Sequence, residues 1–232
     1  MKLNFYIILL LLLSFIVKAD QILELIKIPN LTLHKLENKN SLAFLKPTKD
    51  FFVGSSSENV SCKKNQSQNF NEKYLEAQKG FNKYNDDFFK KIKLKYIVLC
   101  SELEIAGIPA LGFANPEMKT LIFNINTNNS NFERVLHHEI FHMIDESHKE
   151  KFLYEEWESF NNPEFKYAEC STCSDRLGLS LLKEDKGFLT EYSMSTPSED
   201  MAEVFSFLMI NKKMIEDKAS MDPILNLSLI HI

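Results

Sequence analysis

The chain has 232 residues, of which 44% are hydrophobic and 25% charged, and its formal net charge is −5. This composition is typical of a soluble globular protein and excludes an intrinsically disordered chain. Because the sequence has no block of basic residues, a nucleic-acid partner is not expected.

The first residues differ from the rest of the chain. Met1-Lys2 is followed by an apolar run over residues 5–17 and then by Lys18-Ala19, which is the pattern of a secretory signal peptide. The run is shorter than the roughly 20 apolar residues that a membrane span needs. We therefore predict a signal peptide over 1–19, no membrane span after its cleavage, and a secreted or secretory-pathway protein. Residues 20–232 are predicted to form one domain, with an N-terminal subdomain over 20–129 and a second subdomain over 130–232.

The chain contains Cys62, Cys100, Cys170 and Cys173. An even number of cysteines in a secreted chain predicts two disulfides. We favour a short bridge within the Cys170-Ser-Thr-Cys173 sequence and a bond between Cys62 and Cys100; the alternative is a four-cysteine zinc site. Five N-x-S/T sequons predict surface positions that a glycosylating host would modify. They begin at Asn30, Asn59, Asn65, Asn128 and Asn226.

The apolar pattern predicts the elements in chain order. Residues 20–69 should hold a short helix over 21–27, loops and an edge strand, and three- and four-residue spacing predicts a helix over 69–92. Strands follow over 95–100 and 121–125, separated by turns rich in Gly and Pro. Ser130 and Glu133 fit a capping box that opens a helix over 130–146. A final helix should begin at Thr196-Pro197 and end near 210.

The strongest chemical signal is His138-Glu139-Ile140-Phe141-His142. Four residues advance a helix by about 400°, so both imidazoles point the same way and can bind one zinc ion. Glu139 can then act as general base toward a water molecule that the metal activates. We therefore predict one zinc ion per chain, held by His138 and His142.

A catalytic zinc needs a third protein ligand, and the residues offer two. His148 would complete a pattern close to the metzincin HExxHxxGxxH, although Asp145 stands where that pattern requires Gly. Glu199 is the other candidate, with Glu203 four residues later on the same helical face. In that arrangement Glu203 would accept a hydrogen bond from a ligand imidazole. Glu199 could instead serve only in a capping box with Thr196.

These motifs resemble those of the gluzincin metallopeptidases of the anthrax-lethal-factor catalytic-domain type, which include the secreted Pro-Pro endopeptidases. The resemblance rests on HExxHxxD at 138–145, on Tyr192 and on Glu199-x-x-Ala-Glu203. It implies zinc ligands at His138, His142 and Glu199, Glu139 as base, and Tyr192 as the donor to the oxyanion. Asp145 matches an acidic residue of that family. The cysteine-bearing stretch over 155–186 has no counterpart in the family and is read as an insertion.

We therefore predict an α+β, zincin-like fold, with a small twisted sheet packed on the active-site helix and a mostly helical C-terminal subdomain. The predicted function is a secreted zinc endopeptidase. A peptide or protein substrate should bind as an extended strand along an edge strand near residues 121–125. The alternatives are a metzincin-like peptidase that uses His148, and an inactive binding module. His137 and His148 are otherwise expected at the surface or behind the metal ligands. No oligomeric state is predicted.

Overall fold

The computed structural model describes residues 30–37, 41–54, 59–64, 69–85, 87–183 and 186–232. The predicted signal peptide and the predicted helix over 21–27 lie outside these residues. Within them the chain combines two β-sheets with seven α-helices, so the predicted α+β class is confirmed.

The main sheet has five strands in the order β1-β2-β5-β9-β8. These strands are β1 (Leu31–Leu36), β2 (Ala43–Pro47), β5 (Tyr96–Cys100), β8 (Gly112–Asn115) and β9 (Thr120–Asn124). β2, β5 and β9 run parallel to one another, and the two outer strands are antiparallel to their neighbours. The two predicted strands are therefore confirmed as the centre of a mixed sheet.

A second, four-stranded antiparallel sheet has the order β3-β4-β6-β7. It is formed by β3 (Phe51–Val53), β4 (Val60–Cys62), β6 (Leu103–Ile105) and β7 (Ile108–Pro109). This sheet was not predicted. Val98 and Cys100 of β5 pack against it, while Ile97 and Leu99 face the opposite core. Burial on both faces explains why β5 is a continuous apolar run.

The predicted helix over 69–92 is two helices, α1 (Phe70–Phe81) and α2 (Phe88–Lys91). The side chain of Asn85 accepts a hydrogen bond from the amide of Phe88 at 2.9 Å, a local bond that competes with a continuous helix. The apolar spacing nevertheless continues across the break. Tyr84 and Phe88 stack at 4.5 Å and pack against the same core, so periodicity alone did not reveal the turn.

Helix α3 (Asn129–Ser147) packs its apolar face on the main sheet. Its N-cap is Asn128, whose side chain accepts a hydrogen bond from the amide of Asn131 at 3.0 Å. The capping box predicted at Ser130 is therefore wrong, because the helix begins earlier. Glu133 instead forms an ion pair with Lys83 of the turn after α1, at 2.8 Å.

The C-terminal part is mostly helical, as predicted. It contains α4 (Tyr154–Glu158), a 3₁₀ turn (Tyr192–Met194), α5 (Pro197–Ile210), α6 (Lys212–Ala219) and α7 (Pro223–His231). Thr196 is the N-cap of α5, since its hydroxyl accepts a hydrogen bond from the amide of Glu199 at 3.3 Å. The predicted helix is thus confirmed at both ends, and it packs against α3. The prediction that it is the final helix is wrong, because α6 and α7 follow it.

The position of the sheet edge differs from the expectation. β9, which covers most of the segment predicted as the substrate-binding edge, is paired on both sides, with β5 and with β8. The edge of the main sheet beside α3 is β8. β8 lies in the Gly- and Pro-rich segment, for which the sequence analysis predicted only turns, and it pairs antiparallel with β9.

The cysteines form the two pairs that we favoured, Cys62 with Cys100 and Cys170 with Cys173, both at disulfide distance. Cys62 and Cys100 join the two sheets in the core, which excludes them from a four-cysteine zinc site. Of the described sequons, Asn59 is buried, contrary to the expected surface position. Among the described residues, no helix is both long and apolar enough to cross a membrane.

Candidate metal centre

Helix α3 presents His138 and His142 one turn apart, with their ring centroids 4.9 Å from each other. Helix α5 crosses beneath them and brings Glu199 to both rings. Its Oε2 lies 2.8 Å from Nε2 of His138 and 3.3 Å from Nε2 of His142. Among the residues that the structure describes, these three side chains form the one group able to hold a metal ion.

The donor atoms of this group fit zinc. Two imidazole nitrogens and one carboxylate oxygen are a ligand set typical of catalytic zinc. Ligands at about 2.0–2.1 Å from a tetrahedral ion lie roughly 3.3 Å from one another, close to the separations that Glu199 makes. The three donor atoms all lie within 4.8 Å of one another, so a small closing movement of the side chains would suffice.

A buried ion pair fixes His138 from behind. Glu203, one turn after Glu199, accepts a hydrogen bond from Nδ1 of His138 at 2.9 Å. Arg134 donates to both oxygens of Glu203 at 2.5 and 2.7 Å, and the hydroxyl of Thr190 donates at 2.8 Å. Because Glu203 accepts the hydrogen bond from Nδ1–H, the other ring nitrogen, Nε2, faces the group of donor atoms and would bind a metal ion after losing its proton.

A second chain of hydrogen bonds orients His142. The hydroxyl of Ser198 lies 3.3 Å from Nδ1 of His142 and donates to Asp145 at 3.1 Å. Tyr154 donates to the same oxygen of Asp145 at 2.5 Å. Asp145 lies one helical turn after His142 on α3 and supports this histidine through Ser198. A chain that left the helix at residue 145 would not make this contact.

The charges of the group shift its pKa values strongly. Burial lowers the pKa of His138, but hydrogen bonds to Glu199 and Glu203 outweigh it and raise this pKa to about 10. Burial would raise the pKa of Glu199, yet the charge of His142 and the hydrogen bonds of both histidines hold it well below its usual value. The carboxylate is therefore ionised and ready to act as an anionic ligand.

Glu139 lies beside this group, buried beneath strand β8. Gly112 of β8 approaches it so closely that a Cβ there would lie 2.7 Å from both Cγ and Oε1 of Glu139. Burial raises the pKa of Glu139, although the charges of His138 and His142 and a hydrogen bond from the backbone of Ala114 oppose that shift. A raised pKa suits a group that must accept and then return a proton near neutral pH.

Tyr192 lies on the 3₁₀ turn that precedes α5. Its ring centroid is 5.9 Å from that of His138, and its side chain lines the same cavity as Glu139. Burial raises the pKa of Tyr192, and the negative charges of Glu199 and Glu139 raise it further. The hydroxyl therefore keeps its proton at neutral pH and can donate it in a hydrogen bond.

Among the histidines that lie apart from the group are the two that the sequence analysis considered, His148 and His137. His148 is the C-cap of α3, and its Nδ1 contacts Ser147 at 2.8 Å rather than the other two imidazoles. His137, expected at the surface or behind the ligands, is fully buried, with Nδ1 2.7 Å from the hydroxyl of Tyr84. Burial is the main cause that lowers the pKa of His137 to about 4, so it packs as a neutral core residue.

A cavity of about 520 Å³ lies over the donor atoms. One wall is formed by β8 and the segment before it, and the other by residues 171–179 of the cysteine-bearing segment. Several residues at the site were not predicted, because their own sequence contexts carry no motif. They are Gly112, Arg134, Tyr154, Ser171, Thr190 and Ser198.

Comparison with known proteins agrees with this geometry. Residues 72–223, about two thirds of the chain, match the family described as "Putative zinc-binding metallo-peptidase", and the chain belongs to that family. The match spans α1 through the start of α7 and includes every residue of the metal centre. Searches of the curated proteins and of the solved structures found no significant match. The general class is therefore a zinc metallopeptidase.

Proposed function

We propose that this chain is a secreted zinc endopeptidase of gluzincin type, with His138, His142 and Glu199 as ligands of one zinc ion. The convergence of these three side chains beside the buried Glu139 is the observation that carries the proposal. Glu203 and Asp145 support the ligands from behind. Zinc would supply a Lewis acid that polarises the substrate carbonyl and acidifies water.

The substrate is proposed to bind as an extended peptide beside β8. The edge of a sheet offers unpaired backbone donors and acceptors, to which a peptide can add as a further strand. β8 forms a wall of the cavity and lies directly over Glu139. A peptide at this edge would therefore place a scissile bond next to the base. This position replaces the edge near 121–125 that the sequence suggested.

The chain's own residues move the protons. Glu139 takes a proton from the attacking water and later returns it to the leaving amine. Tyr192 donates a hydrogen bond to the oxyanion that develops on the carbonyl, and removal of such a donor typically costs about 10²–10³ in kcat.

Two measurements on the secreted protein test the proposal. Mass spectrometry under native conditions should find one zinc ion per chain, and casein hydrolysis should stop when a chelator removes the metal. Glu139→Gln should keep the zinc and lose hydrolysis by at least about 10²-fold, because only the proton acceptor is lost. Equal hydrolysis by this variant and the wild type would overturn the role of Glu139. A folded, zinc-loaded wild type that hydrolyses neither casein nor gelatin would overturn the proposal that the protein is an endopeptidase.

A further inference from the structure

Bulky apolar side chains line both walls of the cavity over the metal centre, and two of them are exposed. Ile108, on the wall beside β8, is 36% exposed, and Leu177, on the opposite wall, is 52% exposed. Leu111 and Leu179 line the same two walls. An apolar side chain in water lacks the free energy that burial would supply. Several such side chains grouped around one cleft are typical of a surface that a ligand covers.

Ile108 lies at the end of a tight hairpin. Strands β6 and β7 pair Ile105 with Ile108, and the two residues between them, Ala106 and Gly107, have φ values of +52° and +78°. Two positive φ values in a two-residue connection are those of a type I′ turn, whose twist matches that of the flanking strands. Both isoleucines line the cavity, so the hairpin presents them from a well-defined backbone.

Hydrogen bonds on both sides of Leu177 anchor its backbone. The guanidinium of Arg176 donates to the carbonyl of Met194. The carbonyl of Gly178 accepts a hydrogen bond from the amide of Tyr192 at 3.0 Å. The neighbours of Leu177 in the chain are therefore tied to the 3₁₀ turn at the metal centre. Leu177 itself remains more than half exposed at the cavity, on a backbone that is held in place.

The charges of the cavity disfavour an acidic side chain. Among the described residues that line it, Arg134 is the one arginine or lysine, and it is buried and donates to both oxygens of Glu203. An anionic side chain would therefore find no free arginine or lysine among these residues. A neutral apolar side chain would need no such partner and would cover the exposed surfaces of Ile108 and Leu177. The lining also includes the carboxyl groups of Glu139, Asp145, Glu146, Glu199 and Glu203.

We propose that Leu177 and Ile108 determine specificity, and that the protein cleaves peptides with a bulky apolar residue beside the scissile bond. Side chains of an extended peptide alternate between its two faces. A residue next to the reacting carbonyl can therefore place its side chain between the two walls, where Leu177 and Ile108 bury it. This inference rests on the proposed function, because it names the substrate class of the same site.

Hydrolysis of three matched peptides tests the substrate class. The peptides are Gly-Gly-X-X-Gly-Gly with X as Leu, Ala or Asp, each with a fluorescent label at one end, and chromatography follows the products. The leucine peptide should have a kcat/KM at least about tenfold above the alanine peptide, since an apolar pocket typically discriminates about 10- to 200-fold per methylene. The aspartate peptide should be the poorest substrate. Equal values for the leucine and alanine peptides, or a preference for aspartate, would overturn the proposal.

Variants of the two walls test the residues. Leu177→Ala and Ile108→Ala should each lower the preference for the leucine peptide over the alanine peptide at least about fivefold, because part of the apolar wall is lost. Leu181→Ala is the matched control, since Leu181 is 41% exposed on the same segment and does not line the cavity. Its preference should equal that of the wild type. An unchanged preference in Leu177→Ala, or an equal change in Leu181→Ala, would overturn the assignment.

A binding measurement separates this inference from the proposed function. Fluorescence anisotropy of the labelled leucine and aspartate peptides is measured with the zinc-loaded Glu139→Gln variant, so that the peptides stay intact. The leucine peptide should bind at least about fivefold more tightly, and adding Leu177→Ala should reduce this difference. If the wild type hydrolysed no peptide and this pattern appeared, the proposed function would fail while the specificity stood. Hydrolysis with no preference for leucine in either measurement would leave the endopeptidase standing and overturn the inference.

Discussion

At the scale of a single residue, Gly112 connects the proposed substrate edge to Glu139, the proposed general base. A Cβ at this position would lie 2.7 Å from Cγ and Oε1 of Glu139 and 2.8 Å from Cγ1 of Val135. These atoms belong to side chains of α3, the helix that packs on the main sheet. Any side chain at 112 must therefore displace either the strand or the carboxylate.

We expect Gly112→Ala to lower kcat about 10- to 100-fold, because a shift of Glu139 by a fraction of an ångström disturbs proton transfer. Bound zinc should remain. Gly80→Ala is the matched control, since its added methyl would meet only Leu136 in the core, at 3.1 Å. Casein hydrolysis and metal content check both variants. An unchanged kcat in Gly112→Ala would show that the strand yields and that the close approach is not functional.

Arg134 stabilises the buried charge behind His138. Replacing it by Met would leave the buried carboxylate of Glu203 with His138 as its one remaining charged partner, and breaking a buried ion pair in this way typically costs about 3–5 kcal/mol of unfolding free energy. Lys83→Met is the control, because Lys83 and Glu133 are 35% and 34% exposed and such pairs contribute at most about 1 kcal/mol. Urea unfolding monitored by circular dichroism measures both. Equal losses in the two variants would contradict the special role of Arg134.

The sequence predicted some of these residues and missed others for a physical reason. Helix geometry alone places His138 and His142 on one face, so their spacing was sufficient. The choice between Glu199 and His148 depends on which element crosses α3, and local spacing does not contain that information. Arg134 and Gly112 act across contacts between distant segments, so neither forms part of a short motif.

At the scale of elements, the start of α3 determines where the histidines lie along the helix. Asn128 accepts a hydrogen bond from the amide of Asn131 and fixes that start. A capping pattern at Ser130 and Glu133 was equally acceptable locally. In the structure Glu133 instead pairs with Lys83, which lies in a turn about fifty residues earlier in the sequence. Tertiary contacts of this kind, and not the local pattern, decide which residue caps the helix.

Asn128→Ala should destabilise the protein by about 1 kcal/mol, the usual effect of losing an N-cap. Asn128→Asp should retain stability, because a carboxylate accepts the same bond and interacts favourably with the helix N-terminus. The two variants also remove the same sequon, so any effect of glycosylation would be common to both. Thermal unfolding of protein made without glycosylation compares them. Equal stabilities would mean that the cap does not support the helix.

The sheet was predictable only in its interior. β5 and β9 are apolar runs that a strand pattern identifies, whereas β8 and the second sheet consist of short strands between turn residues. Such strands exist because neighbours supply their hydrogen bonds. For this reason the sequence analysis predicted the edge of the sheet at β9. In the structure the edge is β8, the strand that contacts Glu139, and the proposed substrate site lies there.

At the scale of the whole molecule, the metal centre joins two separate hydrophobic cores. α3 packs on the main sheet, and α5 belongs mainly to the helical core around Trp157. His138 and His142 come from the first helix and Glu199 from the second. A metal ion held by all three would therefore bind the two parts together, and it would stabilise the folded state relative to the unfolded chain.

Zinc at about 100 times its dissociation constant should add about 2.7 kcal/mol, which for a chain of this size raises Tm by roughly 5–10 °C. The gain should vanish with a chelator and in Glu199→Ala, because only two ligands would remain to hold the ion. His148→Ala should keep the gain, since His148 contacts Ser147 and not the donor group. Differential scanning calorimetry with and without zinc measures each shift. A gain lost in His148→Ala and kept in Glu199→Ala would reverse the ligand assignment and favour the metzincin-like alternative, because the third ligand would then come from the end of α3 itself.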